Sequence, residues 1–286
     1  MPCLVITKNE GNIMEEIKVY ELRKVDLKGA TVIDGFPSVG LVSSIVANYL
    51  INFLKLEQIG IMDSVYFPTV SLVREAEPLN PVRIYAGEKI SSPDGDSDQV
   101  VAFISEFQPP PNLVKPIAHT MLDWAQEQRC KQLISPEGLV VDRTPEEGEE
   151  DEVEGGGEGE AQEEEELVDV YGIGSTKRSR KVLESHDIAL FMEGVITGVA
   201  GVLLNEGKSR DFDVISLMAE AHPDYPDARA AAKVIETIDK MLLHIHLDAK
   251  PLYVEAEKIE GQLKSIHAQA KPTKPSKKAY APSIYR

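Results

Sequence analysis

Cysteines and long apolar runs are scarce in this 286-residue sequence, and each shortage excludes a class of protein. The two cysteines, Cys3 and Cys130, are too few for a disulfide framework and lack the paired spacing of a zinc site. The longest apolar stretch, 188–204, is interrupted by Glu193 and several glycines. A membrane span needs about 18 or more uninterrupted apolar residues, so we expect no membrane association.

A secretory leader is also missing from the first residues. The opening MPCLVITKNEGNIMEEIKV has no basic region followed by a long apolar region. We therefore expect a cytoplasmic protein whose two thiols are reduced.

Basic charge is limited as well. The formal net charge is −18, and residues 146–166 hold thirteen acidic and no basic residues, which leaves −5 for the rest of the chain. No basic stripe with interleaved aromatic residues occurs, so nucleic acid is not an expected partner.

The acidic block lies in a segment of glutamates and glycines that cannot bury enough apolar surface to offset its ordering entropy. We expect a disordered insertion at about 142–167, after which the chain re-enters the same domain at Val168. A solubilising role is favoured over recognition of a basic partner, which stays open as an alternative.

The remaining patterns alternate between strands and helices. Apolar runs predict strands at 16–21, 30–34, 58–63, 82–89, 99–105, 131–134, 168–172 and 212–218. Helical spacing predicts helices at 41–53, 113–128, 196–206, 227–246 and 252–266. This order predicts one α/β domain, 1–266, with a mostly parallel central sheet, flanking helices and a helical segment towards the C-terminus. The lysine- and proline-rich residues 267–286 predict a flexible tail.

The segment GFPSVG, between the first buried strand and the first helix, is the natural place to look for a phosphate or ligand site. It lacks the G-x-G-x-x-G spacing of a dinucleotide site and the lysine of a P-loop, so a tight turn with Ser38 as a helix cap is favoured. The candidate crevice residues are Gly35, Phe36, Pro37, Ser38 and Gly40.

No sequence motif groups residues that could act in catalysis. The serines have no recognisable base beside them and no nucleophile elbow is present. His244 and His246, two apart on a predicted helix, point in different directions and make a poor metal pair. Glu106 and Glu137 follow predicted strands and lie where open α/β sheets bind ligands, without a mechanism for either. We expect no enzyme activity, metal or cofactor.

The chain ends in Ile284, Tyr285 and Arg286, which form a hydrophobic residue, a tyrosine and a residue with the free carboxylate. Such an ending suits capture by a basic pocket, in which the aromatic ring supplies apolar area at low entropic cost.

Several longer stretches resemble the archaeal branch of the proteasome assembly chaperone family, the relatives of proteasome assembly chaperone 2. They are IDGFPSVGLVSSIVANYLI, GVITGVAGVLLNEG and DVISLMAEAHPDYPDARAAAKVIETIDKML. The resemblance runs from about residue 18 to 266 and excludes the acidic block.

This resemblance implies a non-enzymatic α/β protein, similar in fold to nucleoside phosphorylases and hydrolases, that forms homo-oligomers. Some members carry a hydrophobic-tyrosine-any (HbYX) tail that inserts between α subunits of the proteasome 20S core particle. Ile284, Tyr285 and Arg286 match that tail, so the resemblance implies a proteasome assembly chaperone or activator. Two alternatives remain: an ATP-dependent ligase or hydrolase-like enzyme acting on a small carboxylate or nucleotide, and an oligomeric scaffold that uses the acidic block.

Overall fold

The computed structural model describes residues 17–90, 98–140, 170–254 and 256, and the elements below belong to those residues. The strands are β1 (Ile17–Glu21), β2 (Thr31–Gly35), β3 (Glu57–Ser64), β4 (Leu72–Arg74), β5 (Glu77–Leu79), β6 (Val82–Ala86), β7 (Val100–Ser105), β8 (Gln132–Leu139), β9 (Val170–Gly174), β10 (Ala189–Leu190) and β11 (Asp213–Glu220). The helices are α1 (Val42–Phe53), α2 (Pro111–Glu127), α3 (Lys177–Ser185), α4 (Gly198–Arg210) and α5 (Ala228–Ile238).

Nine strands form one sheet in the order β1-β3-β6-β7-β2-β8-β11-β9-β10. The four central strands, β7, β2, β8 and β11, are parallel to one another. Antiparallel strands continue the sheet on both sides of this centre, and β10 pairs in parallel with β9 at one edge. The prediction of an α/β fold with a mostly parallel central sheet is confirmed. The strands β4 and β5 form a separate hairpin.

Alternation along the central strands creates two cores, one on each face of the sheet. All five residues of β2 are buried. Val32 packs into a core shared with α2 and α4, whereas Ile33 packs into a core shared with α1 and α5. A strand that is buried on both faces reads as a continuous apolar run, which is why this one was visible in the sequence.

The sequence patterns did not predict α3, the β4–β5 hairpin or the two-residue strand β10. Helix α3 is mostly polar and buries only Ser179 and Leu183, so it has no broad apolar stripe. Its start is nevertheless marked by a capping box, in which Thr176 and Ser179 each accept a backbone hydrogen bond from the other. That cap was the signal that could have revealed it.

The helix predicted at 227–246 is shorter in the structure. Helix α5 ends at Ile238, a wide π-helical turn covers Asp239–Leu243, and His244 and His246 have left-handed backbone with φ of 49° and 54°. The buried Asp239 carboxylate accepts hydrogen bonds from the amides of Ile245 (3.0 Å) and Leu247 (2.9 Å). These bonds replace the helical pattern, so the prediction of a continuous helix to residue 246 was wrong.

A short helix at 250–254 follows, and of its continuation only Ala256 is described. The acidic insertion and the tail 267–286 lie outside the described residues. No helix in the described ranges combines the length and the apolar character that a bilayer crossing demands.

Candidate functional site

The carboxyl ends of the four central strands lie together at one edge of the sheet. At β2 the strand order switches from one side of the sheet to the other. Strand β7 lies on one side of β2, and the chain then crosses through α2 to β8 on the other side. Helices α1 and α2 cover opposite faces. Open α/β sheets bind ligands in the crevice at such a switch point. The GFPSVG turn, Glu106 and Glu137 all lie at this edge.

The two glycines of the turn are required by space and by backbone conformation. A Cβ on Gly35 would overlap the carbonyl oxygen of Phe103 and the Cβ of Ala47. Gly40 has a φ of +59°, and a Cβ there would lie 3.0 Å from the carbonyl oxygen of His222. The turn is therefore packed tightly between β7, α1 and the loop after β11.

Three amides in and just after the turn donate hydrogen bonds within the protein. The Phe36 amide donates to Asp34 Oδ1 (3.0 Å) and the Leu41 amide to the Ser38 carbonyl (3.0 Å). The Ser43 amide, in the first turn of α1, donates to Ser38 Oγ (3.1 Å). Ser38 thus caps α1 as expected, although Leu41 occupies the N-cap position. Pro37 has no amide hydrogen, so the turn lacks that donor for a phosphate.

Beneath the turn, two carboxyl groups share one serine. Ser135 Oγ donates to Asp34 Oδ2 at 2.8 Å and lies 3.5 Å from Glu137 Oε1. Burial raises the pKa of Asp34 from 3.8 to about 6, against the opposing effect of its hydrogen bonds with Phe36 and Ser135. Burial, and then the Asp34 charge, raise the pKa of Glu137 well above its usual range. The arrangement favours at least one protonated carboxyl near neutral pH.

Sequence patterns identified Glu137 but missed Asp34 and Ser135 as members of this cluster. The available signal was an aspartate at the end of the buried run ATVID and a serine inside LISPEG. A carboxyl group at the end of a buried apolar strand must either accept hydrogen bonds from nearby donors or remain protonated.

Glu106, the other acid predicted at this edge, neutralises a buried arginine. The Arg83 side chain is fully buried and pairs with Glu106 Oε1. It also donates to the Asn80 carbonyl (2.6 Å) and to Tyr85 Oη (3.1 Å). Glu106 is therefore part of a structural ion pair and contributes no unpaired carboxylate to the crevice.

Beside this edge, an open groove of about 740 Å³ runs along the outer face of α1. It begins at Pro37 and Glu106 and is bounded elsewhere by Pro251 and Leu252. Leu41, which immediately precedes α1, and Phe53, its last residue, are 40% and 45% exposed. The groove is therefore a partly apolar surface, distinct from the carboxyl cluster beneath the turn.

The predicted docking residues Ile284, Tyr285 and Arg286 lie outside the described residues, so the structure places only the body that carries them. Within the described ranges, no group of three or more histidine, cysteine, aspartate or glutamate side chains is arranged to hold a metal ion.

Comparison with known proteins assigns the chain to a family. The model of the PAC2 family matches residues 32–267, and the chain belongs to that family. This confirms the resemblance seen in the three sequence stretches. An uncharacterized protein of Methanocaldococcus jannaschii is 25% identical over 257 residues, which cover 90% of this chain and 93% of the relative.

Solved structures with the same fold include two proteins of Pyrococcus furiosus. PbaA, described as an archaeal homolog of proteasome-assembly chaperone, is 30% identical with a TM-score of 0.69, over 88% of this chain and 97% of PbaA. PbaB, described as an archaeal proteasome activator, is 24% identical with a TM-score of 0.69, over 89% of this chain and 100% of PbaB. The likeness to PbaB concerns the fold.

Proposed function

We propose that this protein is a proteasome assembly chaperone or activator that binds the α ring of the 20S core particle through Ile284, Tyr285 and Arg286. The observation that carries the proposal is the family match over 32–267, together with the similarity to PbaA over nearly all of that protein. The fold likeness to PbaB, an archaeal proteasome activator, adds support.

The proposed contact is small and uses three chemical groups. The terminal carboxylate of Arg286 pairs with a lysine in a pocket between α subunits. The Tyr285 ring packs against the pocket wall, and Ile284 fills an apolar notch. One such tail buries little surface, so a single copy binds weakly.

Oligomerisation makes the weak contact useful. Several tails on one homo-oligomer gain avidity by effective concentration, by a factor of about 10² to 10⁴ when the linkers span the pockets. The 13 residues of 271–283 reach about 40 Å in a polyproline-like conformation at about 3.1 Å per residue. That reach suffices for tails from one assembly to enter separate pockets.

Geometry at the carboxyl edge gives the enzymatic alternative no comparable support. The Phe36 amide is paired within the protein, Pro37 has no amide hydrogen, and the adjacent groups are two carboxyls and an ion-paired glutamate. A nucleotide phosphate at this edge would lie near the acidic side chains of Asp34 and Glu137, which disfavour an anion. In this proposal the tail makes the contact with the α ring, and the folded body forms the oligomer that presents several tails at once.

The tail can be tested by recovery of proteasome α rings on the immobilised full-length protein. Deletion of residues 284–286, or Tyr285→Ala, is expected to lower recovery by about tenfold or more, because each removes part of the anchor from every copy at once. Tyr280→Ala is the matched control, since it removes a tyrosine from the same tail outside the docking triplet, and is expected to bind normally.

Equal recovery of the three variants and the unaltered protein would discard the docking tail. A residue added after Arg286 provides a further check, because it displaces the carboxylate while keeping all three side chains. Parallel binding to free α rings and to complete core particles separates an assembly chaperone from an activator of the finished particle.

A further inference from the structure

A small cavity lies between the end of α2 and the antiparallel side of the sheet. Its volume is about 170 Å³, and it is formed by β1, β3, β6, α2 and the loop 22–27. Val19, Ile59 and Ile84 give it an apolar wall, one residue from each strand. Drug-sized pockets measure about 300–1,000 Å³, whereas a cavity of about 150 Å³ holds a benzene molecule. This cavity therefore has room for one ring-sized molecule.

A glycine inside β3 keeps this space open. Gly60 lines the cavity and follows an irregularity in the β3–β6 register that begins at Gln58. A Cβ on Gly60 would lie 3.0 Å from the carbonyl oxygen of Tyr20 and 3.5 Å from Ile84 Cδ1. Glycine weakens a strand and often marks a place where a ligand or another backbone approaches closely. Here the β1 backbone approaches, and the space beside Ile84 stays part of the cavity.

On the helical side, the indole N–H of Trp124 is a buried donor with no acceptor among the residues that the structure describes. Trp124 lines the cavity and is 6% exposed. Its ring packs edge to face with Phe103, with the ring centroids 5.2 Å apart. Buried donors in native proteins are almost always paired, and an unpaired one is destabilising. An acceptor carried by a bound molecule would remove that cost.

Charged groups at the cavity balance one another. Arg23 lines the cavity and pairs with Glu57. Glu21 Oε1 accepts a hydrogen bond from Gln128 Nε2 at 2.8 Å, and both residues line the cavity together with Lys24. Two acids and two cations leave no net charge that would select an ion. The lining therefore suits a neutral molecule with an apolar body and one polar atom.

We propose that this cavity binds a neutral, ring-sized organic molecule with a single oxygen acceptor. The apolar body lies against Val19, Ile59 and Ile84, and the oxygen accepts a hydrogen bond from Trp124 Nε1. The bound molecule joins β1 and the loop 22–27 to α2, since all three line the cavity. This inference goes beyond the proteasome proposal and does not depend on it.

Two probe molecules of the same shape test the acceptor. Cyclohexanone carries a carbonyl oxygen where methylenecyclohexane carries a CH₂ group. Trp124 is the only tryptophan of the chain, so one indole cross-peak in the ¹H–¹⁵N spectrum of the full-length protein reports on the site. We expect cyclohexanone to move the indole proton downfield in a saturable way. Its dissociation constant, from saturation-transfer titration, should be about fivefold lower than that of methylenecyclohexane, which corresponds to about 1 kcal/mol.

A filled cavity tests the location. Val25→Phe places a ring in the cavity from the loop 22–27 and is expected to weaken cyclohexanone binding by about tenfold or more. Leu22→Phe is the matched control, because Leu22 lies in the same loop, is 48% exposed and does not line the cavity. It should bind cyclohexanone normally. Denaturant unfolding of both variants confirms that they are folded.

Three outcomes would overturn the proposal. Equal affinity for the two probes, with no movement of the indole resonance, would show an apolar void without a role for Trp124. Absence of saturable binding of cyclohexanone to the unaltered protein would show that the cavity is not a site for this class of molecule. Binding that persists unchanged in a folded Val25→Phe variant would place the site elsewhere.

Discussion

Asp34 is held at the end of a buried strand by two opposing effects. The residue is 1% exposed, and this burial penalises the charged form, while the Phe36 amide and the Ser135 hydroxyl donate to the carboxyl and favour that form. Burial is the larger effect, so the pKa rises from 3.8 to about 6. The carboxyl therefore costs folding free energy at neutral pH.

Replacement by asparagine should recover that cost. In Asp34→Asn the amide oxygen can still accept from Phe36, and the amide nitrogen can donate to Ser135. The folded protein holds the Asp34 proton more tightly than the unfolded chain, so the stabilising contribution is complete only well below pH 3.8 and disappears as pH rises through about 6. The free energy of unfolding of Asp34→Asn, relative to the unaltered protein, should rise by about 2 kcal/mol between pH 4 and pH 7.

Denaturant unfolding at a series of pH values measures this difference directly. Further points well below pH 3.8 are the internal control, because the aspartate is then protonated in both the folded and the unfolded state. A difference between variant and unaltered protein that stays constant from pH 4 to pH 7 would contradict the role assigned to burial.

Between α5 and the short helix at 250–254, one side chain determines the path of the backbone. Asp239 accepts the amides of Ile245 and Leu247, and its own carbonyl accepts the amide of His244 at 2.8 Å. This turn directs the chain back to α1, where Asp248 meets Tyr49. The position of the groove border therefore depends on a single buried carboxylate.

Asp239→Ala should lower the free energy of unfolding by about 2–6 kcal/mol, because two amides in a mostly buried turn lose their acceptors at about 1–3 kcal/mol each. Asp248→Ala is the matched control: its carboxylate also accepts a backbone amide, that of Lys250, but it is exposed. Its loss should cost less than about 1 kcal/mol in the same denaturant titration. Equal effects of the two substitutions would show that the Asp239 turn has no special importance.

For the whole molecule, the acidic insertion joins two strands of one sheet. Strand β8 ends opposite Glu220 and β9 begins opposite Ala219, with only β11 between them. Two strand spacings separate the ends by about 10 Å. A short linker can bridge that distance, so the sheet does not require the insertion for its connection.

Replacing residues 142–167 with six glycine and serine residues should change the free energy of unfolding by less than about 1 kcal/mol, because closure entropy varies slowly with loop length. Thermal and denaturant unfolding provide the measurement. A glycine-serine segment of the original length is the control that separates charge from length. A large loss of stability in both variants would mean that the acidic residues contact the body.

How far the sequence predicted the fold depended on what each element buries. Strand β2 and helix α2 were visible because their apolar residues repeat with a clear period. Helix α3 was not, because it buries only two of its residues. At the candidate site, the glycine turn was located from its neighbours in the chain, whereas the Asp34 and Ser135 contact joins residues 101 positions apart.

The sequence by itself determined the alternation of strands and helices, the glycine turn and the family, because those depend on local periodicity and on residues close together in the chain. Tertiary structure decided which carboxyls share a serine, which glutamate neutralises Arg83, and that Asp248 meets Tyr49 on α1. These contacts join residues far apart in sequence, and their energies depend on burial. They therefore form only in the folded sheet with its two helical layers.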